Sequence, residues 1–341
     1  MRRRLVAGLI CTSMLLCSGS LRPAERPALP ALPDFASYII ARVDRGGLTR
    51  ITLDQAADIL KDYDVVFVGE FHDHIANHLA ELAILRALNR RVPTLALSME
   101  QFERDRQSKV DDYVAGKIGE GTLTNGLGWK NYEEAYRPLV EYVKDRRLPI
   151  IAANAPIDIV RCVARKGIAY LGELSAARRK LVAEEIHAAD GPYKRKFVRF
   201  SGDDAAHGGS GKPGENAKQR IENNFAAQMT RDDTMAESIA MFLQANPGYH
   251  VLHVAGAFHV ADKLGTVESL RMRSPQLKIA LVMPVQTRSE APMLTPDETD
   301  QADMAILIRR EPEPYITDAE RKAAEAAEEK RFQAAESATC G

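Results

Sequence analysis

The sequence predicts an α/β domain of three layers: a mainly parallel sheet, helices on both faces, and an inserted helical cap. Three observations predict it. Short apolar runs alternate with segments of helical periodicity, the pattern of a parallel sheet with crossover helices. One stretch, residues 156–246, carries helical signals with no strand between them, which predicts the cap. The chain has 341 residues, 45% of them hydrophobic, enough to bury one large core. A formal net charge of −1 argues against a general nucleic-acid binder, which would carry a basic excess.

The first residues read as an export signal. Met1 to Arg4 contain three arginines, Leu5 to Cys17 are apolar with few interruptions, and Ser18-Gly19-Ser20 supply small residues. This order predicts a signal peptide over residues 1–20, too short an apolar run to span a bilayer. Cys17-Ser18-Gly19-Ser20 also has the form of a lipid-anchored start, although Leu16 stands where a small residue is preferred. A soluble exported form and a lipid-anchored form are both open. Residues 21–40, rich in Pro and Ala at first, read as a flexible tether, 41–310 as the domain, and 311–341 as a charged C-terminal helix or tail. Beyond the signal only Cys162 and Cys340 remain, and a disulfide or two free thiols are both open. No Cys-x-x-Cys-His occurs, which excludes covalent c-type haem attachment by that motif.

Within the domain, Thr52 and Gln55 have capping-box spacing before a helix at Leu53 to Lys61. Asp64 to Gly69 reads as a buried strand and His74 to Arg91 as a helix. Thr94 to Met99 is a strand, Arg104 to Val114 a helix, and Gly116 to Trp129 a glycine-rich loop. Tyr132 to Arg147 is helical, Leu148 to Ala153 a strand, and Ala155 to Arg165 helical. Ser175 caps a charged amphipathic helix expected through Ala189. Gly191 to Glu215, with its glycines and Lys212-Pro213, reads as a long loop or lid. Asn216 to Asn246 is a long helix. His250 to Ala255, Ile279 to Val285 and Ala305 to Ile308 are strands, and Thr317 to Ser337 is a solvated tail helix.

Ligands of open α/β sheets collect at the carboxyl ends of the strands. Three strands here end in ionisable groups: Gly69-Glu70-Phe71-His72, Met99-Glu100, and Gly256-Ala257-Phe258-His259. In each Gly-x-x-His the glycine permits a sharp turn at the sheet edge. Each turn alone reads as helix capping. Two turns with a strand-end glutamate favour one shared site built from Glu70, His72, Glu100 and His259. That set suits a divalent metal or a metal-free acid/base cluster. His78, on the following helix, reads equally as facing this site or as a surface histidine, while His74 reads as a surface histidine. Gly209-Ser210-Gly211-Lys212 lacks the first glycine of a phosphate loop, and Ser210 lacks the Gly-x-Ser-x-Gly elbow. Trp129, Tyr132 and Tyr136 approach one helix face, and His187, Tyr193 and His207 flank the expected lid. Tyrosine and histidine are the common axial donors to haem iron, whereas core packing is the plain reading of the aromatic stripe.

The pieces resemble a known family. Gly69-Glu70-Phe71-His72 with His78, Met99-Glu100-Gln101-Phe102, and Trp129 through Tyr136-Arg137-Pro138 match in order. So do Ile150 through Ala152-Ala153-Asn154-Ala155-Pro156, and Asn224-Phe225-Ala226-Ala227-Gln228 with Arg231-Asp232-Asp233-Thr234-Met235-Ala236. Ala255-Gly256-Ala257-Phe258-His259 closes the set. The chain resembles the ChaN-like proteins of the haem-binding uptake branch of the Tiki superfamily. The resemblance implies a ChaN/erythromycin-esterase-like fold and an exported bacterial protein, often lipid-anchored, linked to haem binding and iron uptake. It also implies kinship with Tiki-type metal-dependent proteases and erythromycin esterases, with Glu70, His72, Glu100 and His259 as the ancestral catalytic site. Haem is then the expected cofactor and partner, with Tyr136 as first choice for the iron bond and His187 and His207 behind it. A divalent metal held by His72, His259, Glu70 and Glu100, with His78 near, belongs to the alternative, a peptidase or esterase. On the haem reading a homodimer sharing the ligand is open. A third reading is an interaction protein with a vestigial site. Val260-Ala261-Asp262-Lys263-Leu264 departs from the Gly-Ile-Pro often found there.

Overall fold

A computed structural model describes residues 30–44, 47–206, 215–287, 301–335 and 340. The expected signal peptide, Cys17, the start of the tether and His207 lie outside the described residues.

Eight strands form one sheet: β1 (Tyr38–Asp44), β2 (Gly47–Arg50), β3 (Val65–Glu70), β4 (Leu95–Glu103), β5 (Ile150–Asn154), β6 (His250–Gly256), β7 (Ile279–Thr287) and β8 (Met304–Arg309). Their order is β2-β1-β8-β7-β3-β6-β4-β5. From β8 to β5 every pairing is parallel, and β1 runs antiparallel to both β2 and β8. β3 is buried at every position, as a central parallel strand covered on both faces must be. The β1–β2 hairpin corrects the sequence reading, which carries the tether through residue 40. Tyr38 to Val43 is a short run whose partner β8 lies far along the chain, with Ile40 opposite Ile306.

Helices α1 (Leu53–Leu60), α2 (Ile75–Arg91), α3 (Gln107–Val114), α4 (Glu120–Thr124) and α5 (Arg137–Asp145) bear on one face. Alternate strand residues such as Val66, Val68, Leu97 and Leu252 meet Leu60, Ile84, Leu85, Leu88 and Leu139 there. The opposite phase, Val65, Phe67, Ala96 and Val251, packs on Met235, Ala236 and Ile239 of α9 (Glu215–Ala245), on Val260 of α10 (Ala257–Val260) and on Val267 and Leu270 of α11 (Thr266–Arg273). The period of two thus assigns each strand residue to a layer. Much of the expected cap therefore serves as the third layer: α9 covers the sheet, and α6 (Ile157–Lys166) packs beside it.

Two expectations in the cap are corrected. The helix expected over residues 175–189 stops after one turn, α7 (Ala176–Arg179), capped by Ser175 as expected. Beyond it, α9 captures the backbone. Thr234 Oγ1 accepts from the Ala183 amide at 3.0 Å, Glu237 from Glu184 at 2.8 Å, and Asp233 from His187 at 2.6 Å. Amides bound this way are lost to a helix ladder. Conversely, residues 192–206 of the expected loop form helix α8 (Pro192–Ala206), which buries Tyr193 against Phe225. Cys162 on α6 is joined to Cys340 by a disulfide. Among the described residues no helix is long and apolar enough to cross a membrane.

Candidate functional site

The site is assembled at the carboxyl ends of three adjacent strands, β3, β6 and β4. Glu70 ends β3 in register with Gly256, the last residue of β6. Glu100 lies on β4, and its Oε2 accepts the Gly256 amide at 2.7 Å. Alternation points Glu70 towards α2 and Glu100 towards α9, so the site has two halves that meet at the rim.

In the first half, Glu70 is a focus of donors. Its Oε1 accepts from Gln101 Nε2 at 2.7 Å and from the Tyr136 hydroxyl at 3.1 Å, and His72 Nδ1 lies 2.8 Å away. Oε2 has His78 Nδ1 at 3.4 Å. His78 is pinned by Glu81 at 3.1 Å and by the His72 carbonyl at 2.9 Å, and Asn77 donates to Glu81 at 2.8 Å. Burial opposes charge on His78, but Glu81 and Glu70 outweigh it and raise its pKa from 6.5 to about 9. Burial and the neighbouring Glu70 push Glu81 upward. Tyr136 is fully enclosed, and burial together with Glu70 drives its hydroxyl far above the usual range. The residues around it form a single π-helical turn, Tyr132–Tyr136, where continuous α-helix is expected.

In the second half, His259 lies between two acids. Nδ1 is 2.7 Å from Asp232 Oδ1, and Nε2 is 3.4 Å from Glu100 Oε1. Burial opposes its charge, yet Glu100 and Asp232 outweigh that and raise its pKa from 6.5 to about 10. Burial alone would raise Glu100, but His259, then His72 and the Gly256 amide, hold it well below the usual range. His72 joins the halves. A Cβ at Gly256 would stand 2.8 Å from His72 Nε2 and 3.5 Å from Glu100 Oε2, so only glycine lets the ring lie there. Burial opposes charge on His72 as well, and the Glu70 hydrogen bond with the Glu100 and Glu70 charges outweighs it. Its side chain is 38% exposed, with the half-buried Trp129 ring 4.9 Å away.

Glu70, His72, Glu100 and His259 are thus brought to one rim, with His78 behind Glu70. Ligand atoms of Glu70, His72 and Glu100 lie within 4.8 Å of one another, as do those of Glu70, His78 and Glu81. The other expected donors to a metal or to haem iron fare differently from His72 and the glutamates. His259 and His78 have both ring nitrogens engaged, and Tyr136 offers no exposed face to a porphyrin. His187 lies elsewhere, held by Asp233 at 2.9 Å. His74 is buried, not on the surface, with Nε2 at 2.8 Å from the Arg309 carbonyl. The sequence reading missed Asp232, Glu81 and Gln101. The signal for the first was two adjacent acids, Asp232 and Asp233, between the apolar pairs Ala226-Ala227 and Met235-Ala236 of one helix; both acids are fully buried. Glu81 was signalled by its place three residues after His78.

A sequence model described as haem-binding uptake, Tiki superfamily, ChaN matches residues 56–270. The solved structure described as cofacial heme binding to ChaN of Campylobacter jejuni superposes with a TM-score of 0.57 at 15% identity, covering 80% of this chain and 98% of that one. The two share the fold. An erythromycin esterase in its open conformation gives a TM-score of 0.42 at 13% identity, over 85% of this chain and 87% of that one, too low to argue from. Protein RETICULATA-RELATED 5, chloroplastic, of Arabidopsis thaliana is 28% identical over 121 residues, 32% of this chain. The chain spans only 16% of that relative's length.

Proposed function

The chain belongs to the ChaN family of haem-binding uptake proteins in the Tiki superfamily, and from that premise we propose that it is an exported haem-binding protein serving iron acquisition. The observation that carries the reading from family to this chain is the state of His72. Its Nδ1 is committed to Glu70 and its Nε2 has no hydrogen-bond partner among the described residues. A carboxylate on one imidazole nitrogen orients the ring and raises the basicity of the other, the usual preparation of a metal-binding histidine. The residues fit an iron porphyrin at the rim. There His72 is partly exposed, Trp129 stands beside it, and Phe71 is exposed on the surface. Bound haem would supply the iron and a broad apolar plane. His72 would hold the iron, Glu70 would fix the tautomer, and Trp129 would cover part of the ring.

The Cys162–Cys340 disulfide supports export, because such bonds persist in oxidising compartments. The arginines and apolar run of residues 2–17 support the same reading. On this view the mature protein is periplasmic, and lipid attachment at Cys17 would hold it to the outer membrane.

A second reading is favoured by a different observation. Glu70 Oε2, which has His78 Nδ1 at 3.4 Å, and Gln101 Oε1 are buried with no hydrogen bond among the described residues, beside the cluster of Glu70, His72 and Glu100. This donor set fits a small divalent cation. Such a cation would supply Lewis acidity towards a carbonyl, as in a peptidase or esterase. His259, protonated between Asp232 and Glu100, would stand ready to donate a proton from Nε2.

One titration separates the two. The chain from Leu21 onward is titrated with haem, and metal is measured on the same sample. The expected result is a saturable Soret shift, weakened roughly tenfold or more by His72→Ala. No shift, together with a stoichiometric divalent metal lost in the same variant, would replace the haem reading with the hydrolase.

A further inference from the structure

Asp232 does not hold His259 alone. Its Oδ1 receives His259 Nδ1 and the Thr266 hydroxyl, each at 2.7 Å. Its Oδ2 receives the Tyr193 hydroxyl at 2.8 Å, and that hydroxyl accepts from Gln228 Nε2 at 3.0 Å. Tyr193 is 4% exposed, and it comes from the first turn of α8, the segment whose sequence reads as a loop. We propose that Tyr193 is a positioning residue for His259: its hydroxyl, delivered by α8, fixes the Asp232 carboxylate, which in turn fixes the imidazole at Glu100.

The packing of α8 fits this role. The Tyr193 ring lies 5.9 Å from Phe225 on α9 and 5.6 Å from Phe258, the residue before His259. Phe197, one turn on, meets the same two rings. Lys196 pairs with Asp262 and Lys194 with Glu222, so α8 is tied to both flanking segments. Gly265 is the other half of the fit. It has φ +54, and a Cβ there would stand 2.4 Å from the His259 carbonyl and 2.9 Å from the Tyr193 ring. The chain keeps a glycine where the phenol must pass closest to the turn bearing His259. With the Tyr193 hydroxyl in place, both carboxylate oxygens of Asp232 are occupied and its plane is set. Without that hydroxyl, Oδ2 loses its phenol donor and the carboxylate is freer to rotate, taking His259 with it. The inference does not depend on the ligand, because the contacts from Tyr193 through Asp232 to His259 are made within the protein.

The test is imidazole NMR of the full mature chain labelled with ¹⁵N-histidine, comparing Tyr193→Phe with wild type. The phenylalanine keeps the ring packing and removes only the hydroxyl. The expected result is solvent exchange of the His259 Nδ1–H about tenfold faster than in wild type, the equivalent of one lost hydrogen bond. The buried His253 signal should stay in place, which shows that the fold is retained. Tyr142→Phe is the matched control, since the Tyr142 hydroxyl donates to Asn89 away from the site. An unchanged His259 exchange rate in Tyr193→Phe, or the same acceleration in Tyr142→Phe, would overturn the proposal.

Discussion

His253 shows how one buried group sets a response to acid. It lies on β6 with no exposure, its Nδ1 2.8 Å from Ser98 Oγ and its ring edge-on to Phe67 at 5.2 Å. Its Nε2 has no partner among the described residues. Burial depresses its pKa from 6.5 to about 3, with Glu100 opposing weakly. The unfolded chain therefore takes up a proton near pH 6.5 that the folded chain refuses. Stability from this group is full above pH 6.5 and drains as pH falls towards 3, at about 1.4 kcal/mol per pH unit. His253→Phe should remove that contribution. Urea unfolding at pH 7 and pH 5 would read it as a smaller loss of stability in the variant than in wild type, and equal losses would refute it. Neither partner of this histidine is visible in the sequence around it. Ser98 and Phe67 lie on β4 and β3, the two neighbours of β6 in the sheet.

At the scale of elements, local signals succeed where they are self-contained. The capping box before α1 is formed on both sides, with Thr52 Oγ1 accepting the Gln55 amide at 3.2 Å and Gln55 Oε1 accepting the Thr52 amide at 2.8 Å. Thr52→Ala should lower stability by about 1 kcal/mol, read as a fall in the urea midpoint with unchanged slope. A change in slope would mean that more than the cap is lost. The segment after Ser175 is the contrary case. Its periodicity is helical, but Thr234, Asp233 and Glu237 lie more than forty residues away and offer its amides better partners. The stretch from Pro192 errs in the other direction. Its glycines and charges suggest a loop, while the stripe of Tyr193 and Phe197 finds an aromatic face on α9 and at Phe258.

At the scale of the whole molecule, the disulfide ties α6 to the C-terminus across a sequence separation of 178. Closing so long a loop restrains the unfolded chain, typically by about 2–4 kcal/mol. Replacing Cys162 and Cys340 together by serine should cost that much in reversible unfolding. Haem titration of the same variant should match wild type, because the bond lies away from His72. A variant as stable as wild type would show that the bond adds no restraint in solution.

The sequence by itself pointed to the alternation of strands and helices outside the cap and to the strand ends that carry Glu70, His72, Glu100 and His259. These are properties of period, turn and strand end, and each is written within a few residues. Tertiary structure decided which histidines keep a free nitrogen. His72 does, while His259 is held at both nitrogens by Asp232 and Glu100 from remote parts of the chain, and His78 by Glu81 and the His72 carbonyl nearby. It also decided that Asp232 and Tyr193 belong to the site and that Tyr136 is shut inside it. The physical reason is that ionisation and hydrogen bonding depend on distance and burial. Both are set by how the folded chain places these groups against one another and away from water, which no local pattern encodes.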